Sequence, residues 1–379
     1  MRIGIEAQRL FRPKKHGMDM VALEIIRHIQ KIDKENQYFI YIKPDTDDCL
    51  TETANVTIRL VDGGSYPIWE QFALPNAVKK DNCQLLHCTS NTAPLFLSIP
   101  LVLTLHDIIF FEKSYLKTIL GKGTSYQKFG NIYRKLVVPF NLKKVKTLVT
   151  VSEFEQKNIA NTLQIPEKEI HVVYNGVGDH FKKIEDETLK QEFKNQYNLP
   201  AKFIFFMGNT DPKKNTPGVL KAYSIFRKKH DIPLVMIDYP KEELKQICRE
   251  IGDTQLHQHI HLTGYIPNSK LPILFSLSTL FLYPSLRESF GIPIVEAQAC
   301  GIPVITSNTS SMPEIAGENA IIVNPLDYNE IANAMDLLLT DTEKAESTSL
   351  QGLKNAKRFS WTESAKDMIQ LYRSTILKY

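Results

Sequence analysis

Leu280-Phe281-Leu282-Tyr283-Pro284-Ser285-Leu286-Arg287-Glu288-Ser289-Phe290-Gly291-Ile292-Pro293-Ile294-Val295-Glu296-Ala297-Gln298-Ala299-Cys300-Gly301-Ile302-Pro303-Val304-Ile305-Thr306 is the stretch whose reading decides the fold. An apolar strand over 280–283 runs into a polar loop. A helix starts at Ser289-Phe290-Gly291, and a second apolar strand follows over 304–306. Strand, helix and strand in that order make a parallel crossover unit.

The same rhythm extends outward along the whole chain. Strand candidates rich in Ile, Val, Leu and Phe stand at 2–7, 38–42, 56–61, 85–88, 101–105, 148–151 and 171–174. A second series stands at 203–207, 234–238, 259–263, 280–283, 304–306 and 320–323. Met18, Val21, Ala22, Ile25, Ile29 and Ile32 recur at steps of three and four, one face of a helix. Near-continuous apolar strands alternating with helices predict an α/β chain, its parallel sheets covered on both faces. The alternation breaks between Asn175 and Leu199. Asn175-Gly176-Val177-Gly178 is turn chemistry, and a polar, charged stretch follows from His180 to Asn198. A boundary there gives two Rossmann-like doubly wound domains, 1–178 and 179–360.

Composition narrows the class. A chain of 379 residues suits two domains, and 43% hydrophobic with 23% charged residues excludes disorder as the main state. Lys plus Arg is 46 against 42 Asp plus Glu, a net charge of +4, too even for bulk nucleic-acid binding. Five scattered cysteines (49, 83, 88, 248, 300) form neither a disulfide framework nor a zinc spacing, and reduced thiols follow. The acidic Glu6 interrupts any leader-like run, and the apolar stretches 94–105 and 271–286 are too short and proline-broken to span a bilayer. The expectation is a cytoplasmic protein without an integral anchor.

Ligands of open parallel sheets bind beyond the carboxyl ends of the strands. The residues following each strand are therefore the site candidates. Arg12 to Asp19, with His16 and Gly17, follows the first. His106-Asp107 and Ser152 follow later strands of the first half. In the second half come Gly208-Asn209-Thr210-Asp211-Pro212-Lys213-Lys214-Asn215, then Gly264-Tyr265, then the loop with Glu288 that opens the Glu296 helix. Two such edges facing each other would make an interdomain cleft. Lys213, Lys214 and the N–H groups of the Ser289-Phe290-Gly291 helix start suit a diphosphate, although Lys213-Lys214 also reads as a solvated pair in a turn. No P-loop and no GxGxxG sequence is present. Glu288 and Glu296 could accept hydroxyl hydrogen bonds from a sugar or ribose. Each could also be an ordinary helix glutamate, but Glu296 sits among Ile294, Val295, Ala297 and Ala299, where a carboxylate wants a partner. His106 reads either as a core histidine or as a group on the ligand edge.

Three patterns compete for attention. Asp45-Thr46-Asp47 has the form of a cation-holding DxD, but follows Pro44 as a turn would. His257, His259 and His261 alternate, so a strand would set them on one face, with no carboxylate or cysteine at ligand spacing. Cys83 and Cys88 are too far apart for a redox pair. The segment 113–146 is different: nine Lys or Arg, no acid, and Tyr115, Tyr126, Phe129, Tyr133 and Phe140 interleaved. It reads as a solvated basic helix, or as a face for an anionic membrane or phosphorylated acceptor.

The block Pro284-Ser285-x-x-Glu288-x-Phe290-Gly291-x-Pro293-x-x-Glu296-Ala297-x-Ala299-x-Gly301-x-Pro303-Val304-Ile305 resembles the E-x7-E signature of retaining glycosyltransferase family 4. Ser307-Asn308-x-Ser310-Ser311-Met312-Pro313-Glu314 resembles the family's next block. His106-Asp107, Val151-Ser152, Asn175-Gly176-Val177 and Gly208 to Asn215 fall where it has motifs, in order. Within the family the chain looks most similar to bacterial polysaccharide mannosyltransferases. The resemblance implies a GT-B architecture in which the last helix, 361–379, packs back on the N-terminal acceptor domain. It implies a sugar-nucleotide donor, GDP-sugar over UDP-sugar, held by the second domain without a metal or other cofactor. It implies Glu296 on the ribose, Glu288 on the donor sugar, Lys214 and Lys213 on the diphosphate behind Gly208, and Phe290 and Gly291 amides on sugar or phosphate. Gly264 and Tyr265 would lie by the base, Gly17 by the phosphates, and His106 by the donor sugar. Two positions depart from the family: Lys213 stands where Arg is frequent, and Asp19 where a second glycine is frequent. Lysine cannot form the bidentate fork of arginine. An unpaired Asp19 would repel a phosphate or else face the acceptor.

The implied reaction is hexose transfer with retained configuration, to a glycan or lipid-linked acceptor in cell-surface polysaccharide synthesis. The implied location is cytoplasmic, peripheral on the inner face of the membrane, with no nucleic-acid partner. The alternatives are a sugar-nucleotide epimerase or other GT-B enzyme, and a non-catalytic sugar-nucleotide binding protein.

Overall fold

The structure is a computed structural model that describes residues 1–13, 15–112, 125–318 and 320–378. The chain divides into two compact units, Met1–Asn175 with Trp361–Tyr379, and Gly176–Ser360.

The first unit carries seven strands: β1 (Arg2–Glu6), β2 (Gln37–Ile42), β3 (Val56–Leu60), β4 (Leu85–Cys88), β5 (Leu101–Thr104), β6 (Thr147–Thr150) and β7 (Ile170–Val172). They form one sheet in the order β3-β2-β1-β4-β5-β6-β7, and every pair is parallel. Successive side chains of β2 divide between two cores: Tyr38, Ile40 and Ile42 on one face, Phe39 and Tyr41 on the other. Both faces being buried explains why these strands read as unbroken apolar runs. Helix Gly17–Ile32 covers one face through Val21, Ala22, Ile26 and Ile29. The chain's last helix, Trp361–Leu377, completes the same core with Ala365, Met368 and Tyr372. It is pinned by polar contacts as well. Tyr372 Oη pairs with His87 Nδ1 at 2.7 Å, and His87 Nε2 pairs with Thr104 Oγ1 at 2.8 Å. Burial pushes the His87 pKa down to about 3, so the ring stays neutral and its two nitrogens divide donor and acceptor roles.

The second unit carries β8 (Ile204–Phe206), β9 (Leu234–Met236), β10 (Ile260–Leu262), β11 (Leu280–Tyr283), β12 (Val304–Ser307) and β13 (Ile321–Val323). Their order is β10-β9-β8-β11-β12-β13, again all parallel. Leu280 and Leu282 enter one core, Phe281 and Tyr283 the other. The thirteen strand candidates all become strands. Two local expectations change. The charged stretch after His180 contains a helix, Glu187–Tyr197, started by Asp186 Oδ1 accepting from Leu189 N at 3.0 Å. Its one buried residue is Phe193, so its charges are its solvent face. His257 and His259 lie in a 3₁₀ turn, Leu256–His259, and only His261 enters β10. The three histidines therefore do not share a strand face, and His261 Nε2 pairs with Tyr197 O at 2.9 Å.

In both sheets the strand order reverses beside the first strand, between β1 and β4 and between β8 and β11. A crevice opens outside the carboxyl ends of the strands at such points. The loops that follow β8 and β11 hold most of the candidate site residues.

Candidate functional site

After β8 the chain turns through Gly208, where any side chain would crowd its neighbours. A Cβ there would stand 2.4 Å from Phe206 Cε1 and 3.0 Å from Thr216 Oγ1. Short polar side chains then shape the loop. Asn209 Oδ1 accepts from Asp211 N (2.8 Å), Asp211 Oδ1 accepts from Lys213 N (3.1 Å), and Pro212–Lys214 forms one 3₁₀ turn. Asn215 takes the left-handed conformation (φ 58) and is buried. Its Nδ2 donates to Pro284 O (3.0 Å) and Pro325 O (2.8 Å), stitching this loop to the one after β11. Leu286 N, donating to Lys213 O at 2.7 Å, is a second stitch. Thus Lys213 and Lys214 are fixed in backbone, with different side-chain surroundings. Lys213 is half-exposed, its Nζ 3.7 Å from Asp211 Oδ2.

Lys214 turns inward. Its Nζ donates to Glu288 Oε1 at 2.6 Å and to Tyr283 Oη at 2.6 Å. Side-chain exposure is 16% for Lys214 and 10% for Glu288. The Glu288 loop is held by serines: Glu288 N donates to Ser310 Oγ, and Ser311 Oγ donates to the carbonyls of Glu288 and Phe290, each at 3.0 Å. Ser310 is itself in the left-handed region (φ 50). Gly291 (φ 95) is the N-cap of helix Ile292–Ala299, a conformation that favours glycine. The Phe290 side chain is core, edge-on to Phe359 at 5.5 Å, so only its backbone is left for a ligand.

Glu296 lies within that helix and is 7% exposed. Burial pushes its pKa up to about 8, opposed by a hydrogen bond from Asn268. Asn268 Oδ1 in turn pairs with His180 Nε2 at 3.0 Å. Glu296 is near enough to Tyr283 to help push that hydroxyl's pKa up, after burial and Glu288. Gly264 (φ 73) and Tyr265 follow β10, the latter well exposed. The second unit thus brings Lys214 and Glu288 into contact, sets Glu296 close by, and ties Gly208 and Lys213 into the same pair of loops.

In the first unit, Gly17 opens its helix exposed to solvent, with no atom within 4 Å of an added Cβ. Asp19 is already partnered there. It is 4% exposed, its Oδ2 accepts from His16 N at 3.0 Å, and its Oδ1 is 3.1 Å from Arg9 Nε. The residue is a helix cap neutralised by an arginine that follows β1. His106 is buried two residues beyond β5. Its Nε2 faces Thr89 O at 2.9 Å, so that nitrogen carries the proton and Nδ1 is the acceptor. Burial lowers its pKa and keeps the ring neutral.

The sequence reading missed a buried carboxylate network at the same sheet edge. Glu6, the last residue of β1, is fully buried, and burial pushes its pKa up to about 6. Glu70 is also fully buried and accepts from four side chains: Tyr66 (2.7 Å), Thr92 (2.5 Å), Gln71 (3.0 Å) and Tyr133 (2.5 Å). An acid closing an apolar strand was the one visible signal for Glu6. Glu70 offered none, since two of its partners, Thr92 and Tyr133, are 22 and 63 residues away.

Of the basic segment 113–146, residues 113–124, including Tyr115, lie outside the described residues. Residues 125–142 are helical. Tyr133 points inward to Glu70 and Lys135 is buried, which corrects the reading of one continuous basic, aromatic face. Phe129, Leu136 and Phe140 are exposed, and Lys144 lies over the exposed Phe96 ring at 4.9 Å. Asp45 stands in a loop and Asp47 pairs with Lys15. All five cysteines are free. Among the described residues no three His, Cys, Asp or Glu gather as a metal site, and no helix is long and apolar enough to cross a membrane.

Residues 17–180 match Glycosyltransferase Family 4, and residues 187–355 match Glycosyl transferases group 1. The O-antigen chain mannosyltransferase B of Escherichia coli is 29% identical over 62% of this chain and 62% of its own. The serotype-specific mannosyltransferase WbdA of Escherichia coli is 27% identical over 62% of this chain. The match spans 29% of WbdA's length, so this chain corresponds to under a third of that relative. Among solved structures, the sucrose-phosphate synthase of Thermosynechococcus elongatus superposes with a TM-score of 0.79 at 17% identity, covering 100% of both chains. With both units matched in chain order and the paired-sheet fold shared, the chain belongs to glycosyltransferase family 4, with a group 1 second half, on the GT-B fold.

Proposed function

We propose that this chain transfers mannose from GDP-mannose to a glycan or lipid-linked acceptor in cell-surface polysaccharide synthesis. The observation that carries the reading is the Lys214–Glu288 pair at the carboxyl ends of β8 and β11. A leaving nucleotide diphosphate develops negative charge and needs a fixed cation in a poorly hydrated place; Lys214 is such a cation. A sugar needs hydroxyl acceptors; Glu288 is such an acceptor. Mannose and the guanine base are favoured because relatives named as mannosyltransferases match along the chain.

In this reading Glu296 takes the ribose hydroxyls, and Gly264 and Tyr265 lie by the base. Lys213 and the first-turn N–H groups after Phe290 and Gly291 add to the phosphate field. Gly17 and the neutral His106 act on the phosphate and sugar of the same donor. The bond from sugar C1 to the phosphate oxygen breaks, and the acceptor oxygen bonds C1 on the same face. The acceptor's proton passes to the departing phosphate oxygen, so configuration is retained without a protein nucleophile. No metal takes part, since lysines and backbone N–H groups meet the charge. The acceptor side is peripheral to an anionic membrane on its cytoplasmic face, with Phe129, Leu136 and Phe140 beside Lys143 and Lys144 as the contact.

The test is thermal stabilisation by GDP, UDP, ADP and dTDP without added metal, followed by transfer from GDP-mannose in the presence of a chelator. Ligand at a hundred times its Kd adds about 2.7 kcal/mol to stability. A GDP-selective shift, chelator-resistant turnover and an axial product linkage are expected. Absence of any GDP shift refutes the donor assignment, and loss of turnover in chelator refutes metal independence. Sedimentation with anionic against neutral liposomes at low salt tests the membrane contact.

A further inference from the structure

Tyr283 ends strand β11, and nothing about an apolar strand requires its hydroxyl. The ring is 2% exposed and stacks on Phe281, with centroids 5.6 Å apart and planes at 24°. Phenylalanine would fill the same space, and burying a hydroxyl costs free energy unless it is hydrogen-bonded. The Tyr283 hydroxyl bonds both charged members of the site, with the Ser285 side chain as a further partner. It accepts from Lys214 Nζ at 2.6 Å and donates to the Glu288 carboxylate. Lys214 closes the triangle on Glu288 Oε1, also at 2.6 Å, and its Nζ lies 4.9 Å from the centre of the Tyr283 ring.

The valences are limiting. An ammonium has three N–H groups. Two belong to the triangle, so one remains for a ligand. A flexible lysine on a four-carbon stem is ordinarily a mobile charge. Here the rigid, core-anchored ring fixes where that charge sits, and fixed charge stabilises a transition state without reorganising when the reaction occurs.

We propose that Tyr283 is a positioning residue for the transfer, holding the Lys214 ammonium and the Glu288 carboxylate in register so that the third N–H of Lys214 meets the departing diphosphate. This rests on the donor reading given above. The variant Tyr283→Phe keeps the ring and the packing. It should keep the melting temperature within a few degrees and raise KM for the donor little, while kcat falls about 10- to 100-fold, the range of one hydrogen bond to a charged group. In a Lys214→Met background the same change should have no further effect. Wild-type kcat in Tyr283→Phe, or an equal loss in both backgrounds, overturns the proposal. Affinity for GDP, measured by calorimetry, separates it from the reading beneath it. If the wild type binds GDP but transfers nothing, the transfer reading fails alone. Tyr283→Phe should then weaken binding of GDP, whose terminal phosphate already carries the charge of the departing group, and only when Lys214 is present; unchanged affinity for GDP overturns the positioning role. A protein that binds no nucleoside diphosphate overturns both.

Discussion

Replacing Glu296 with glutamine should make the protein more stable, and increasingly so as pH rises. The Glu296 carboxyl has its pKa raised from 4.5 to about 8 because it is buried with one hydrogen-bond partner, Asn268. An acid whose folded pKa lies above its unfolded value binds more protons folded than unfolded. Stability therefore falls as pH climbs from the unfolded to the folded pKa, by about 1.4 kcal/mol per unit. The cost of carrying this carboxyl is about 1 kcal/mol at pH 5.5 and about 4–5 kcal/mol at pH 9. Glutamine carries no such term. The stability difference between Glu296→Gln and wild type should thus grow by about 3 kcal/mol across that range, roughly 6–12 °C in Tm for a unit of this size. Function should move the other way. If two ribose hydroxyls donate to an ionised Glu296, nucleotide binding must expel its proton. Affinity for GDP should then rise about fiftyfold from pH 6 to pH 8 beyond any slope seen in Glu296→Gln, which reports the ligand's own phosphate titration. Calorimetry in two buffers of different ionisation enthalpy should show nearly one proton released at pH 6.5. Thermal unfolding of both proteins from pH 5.5 to 9 reads the first effect. A stability difference that stays flat with pH would refute the burial argument, and equal GDP slopes would refute the carboxylate's place on the ligand.

Three further outcomes follow from the geometry. Gly208→Ala must displace the buried Phe206 ring and Thr216, at a cost of about 1–3 kcal/mol, and should blunt the GDP-induced rise in Tm; unchanged unfolding would mean that the loop relaxes freely. Asp19→Ala should lower stability by about 1–3 kcal/mol through the lost cap and the unpaired Arg9, with the acceptor KM unchanged, and Asp19→Asn should recover the cap share; a raised acceptor KM at normal stability would return Asp19 to the acceptor. Glu70→Gln leaves two of the four donors facing an amide N–H₂ and should loosen helix Ser125–Leu142, read as faster amide exchange there with little change around β8 and β11; uniform exchange across the chain would show that the network anchors nothing local.

Why some of this was legible in single letters and some was not has a physical answer. Strands covered on both faces must be apolar at every position, so β2, β8 and β11 announced themselves, and the end of a strand in a parallel sheet marks where ligands can approach. Glu296 stood out for the related reason that a carboxylate amid Ile294, Val295 and Ala297 cannot be solvated on its own helix, and it is indeed buried. What letters in a row do not carry is the valence of each group once folded. Asp19 looked like a lost glycine and a misplaced charge because Arg9, which neutralises it, lies a turn and a loop away. Tyr133 looked like part of an exposed aromatic face because Glu70, which it binds, is 63 residues distant. Tyr283 looked like any strand residue, since its ring satisfies the apolar pattern and only its hydroxyl does not. In each case the pattern gave the residue its element and left open which hydrogen bonds it would make. In the proposed transfer, which uses the one remaining N–H of Lys214, sequence places the lysine at the strand end and packing aims its charge, so the Phe281–Tyr283 stack belongs to that site as much as the charges it holds.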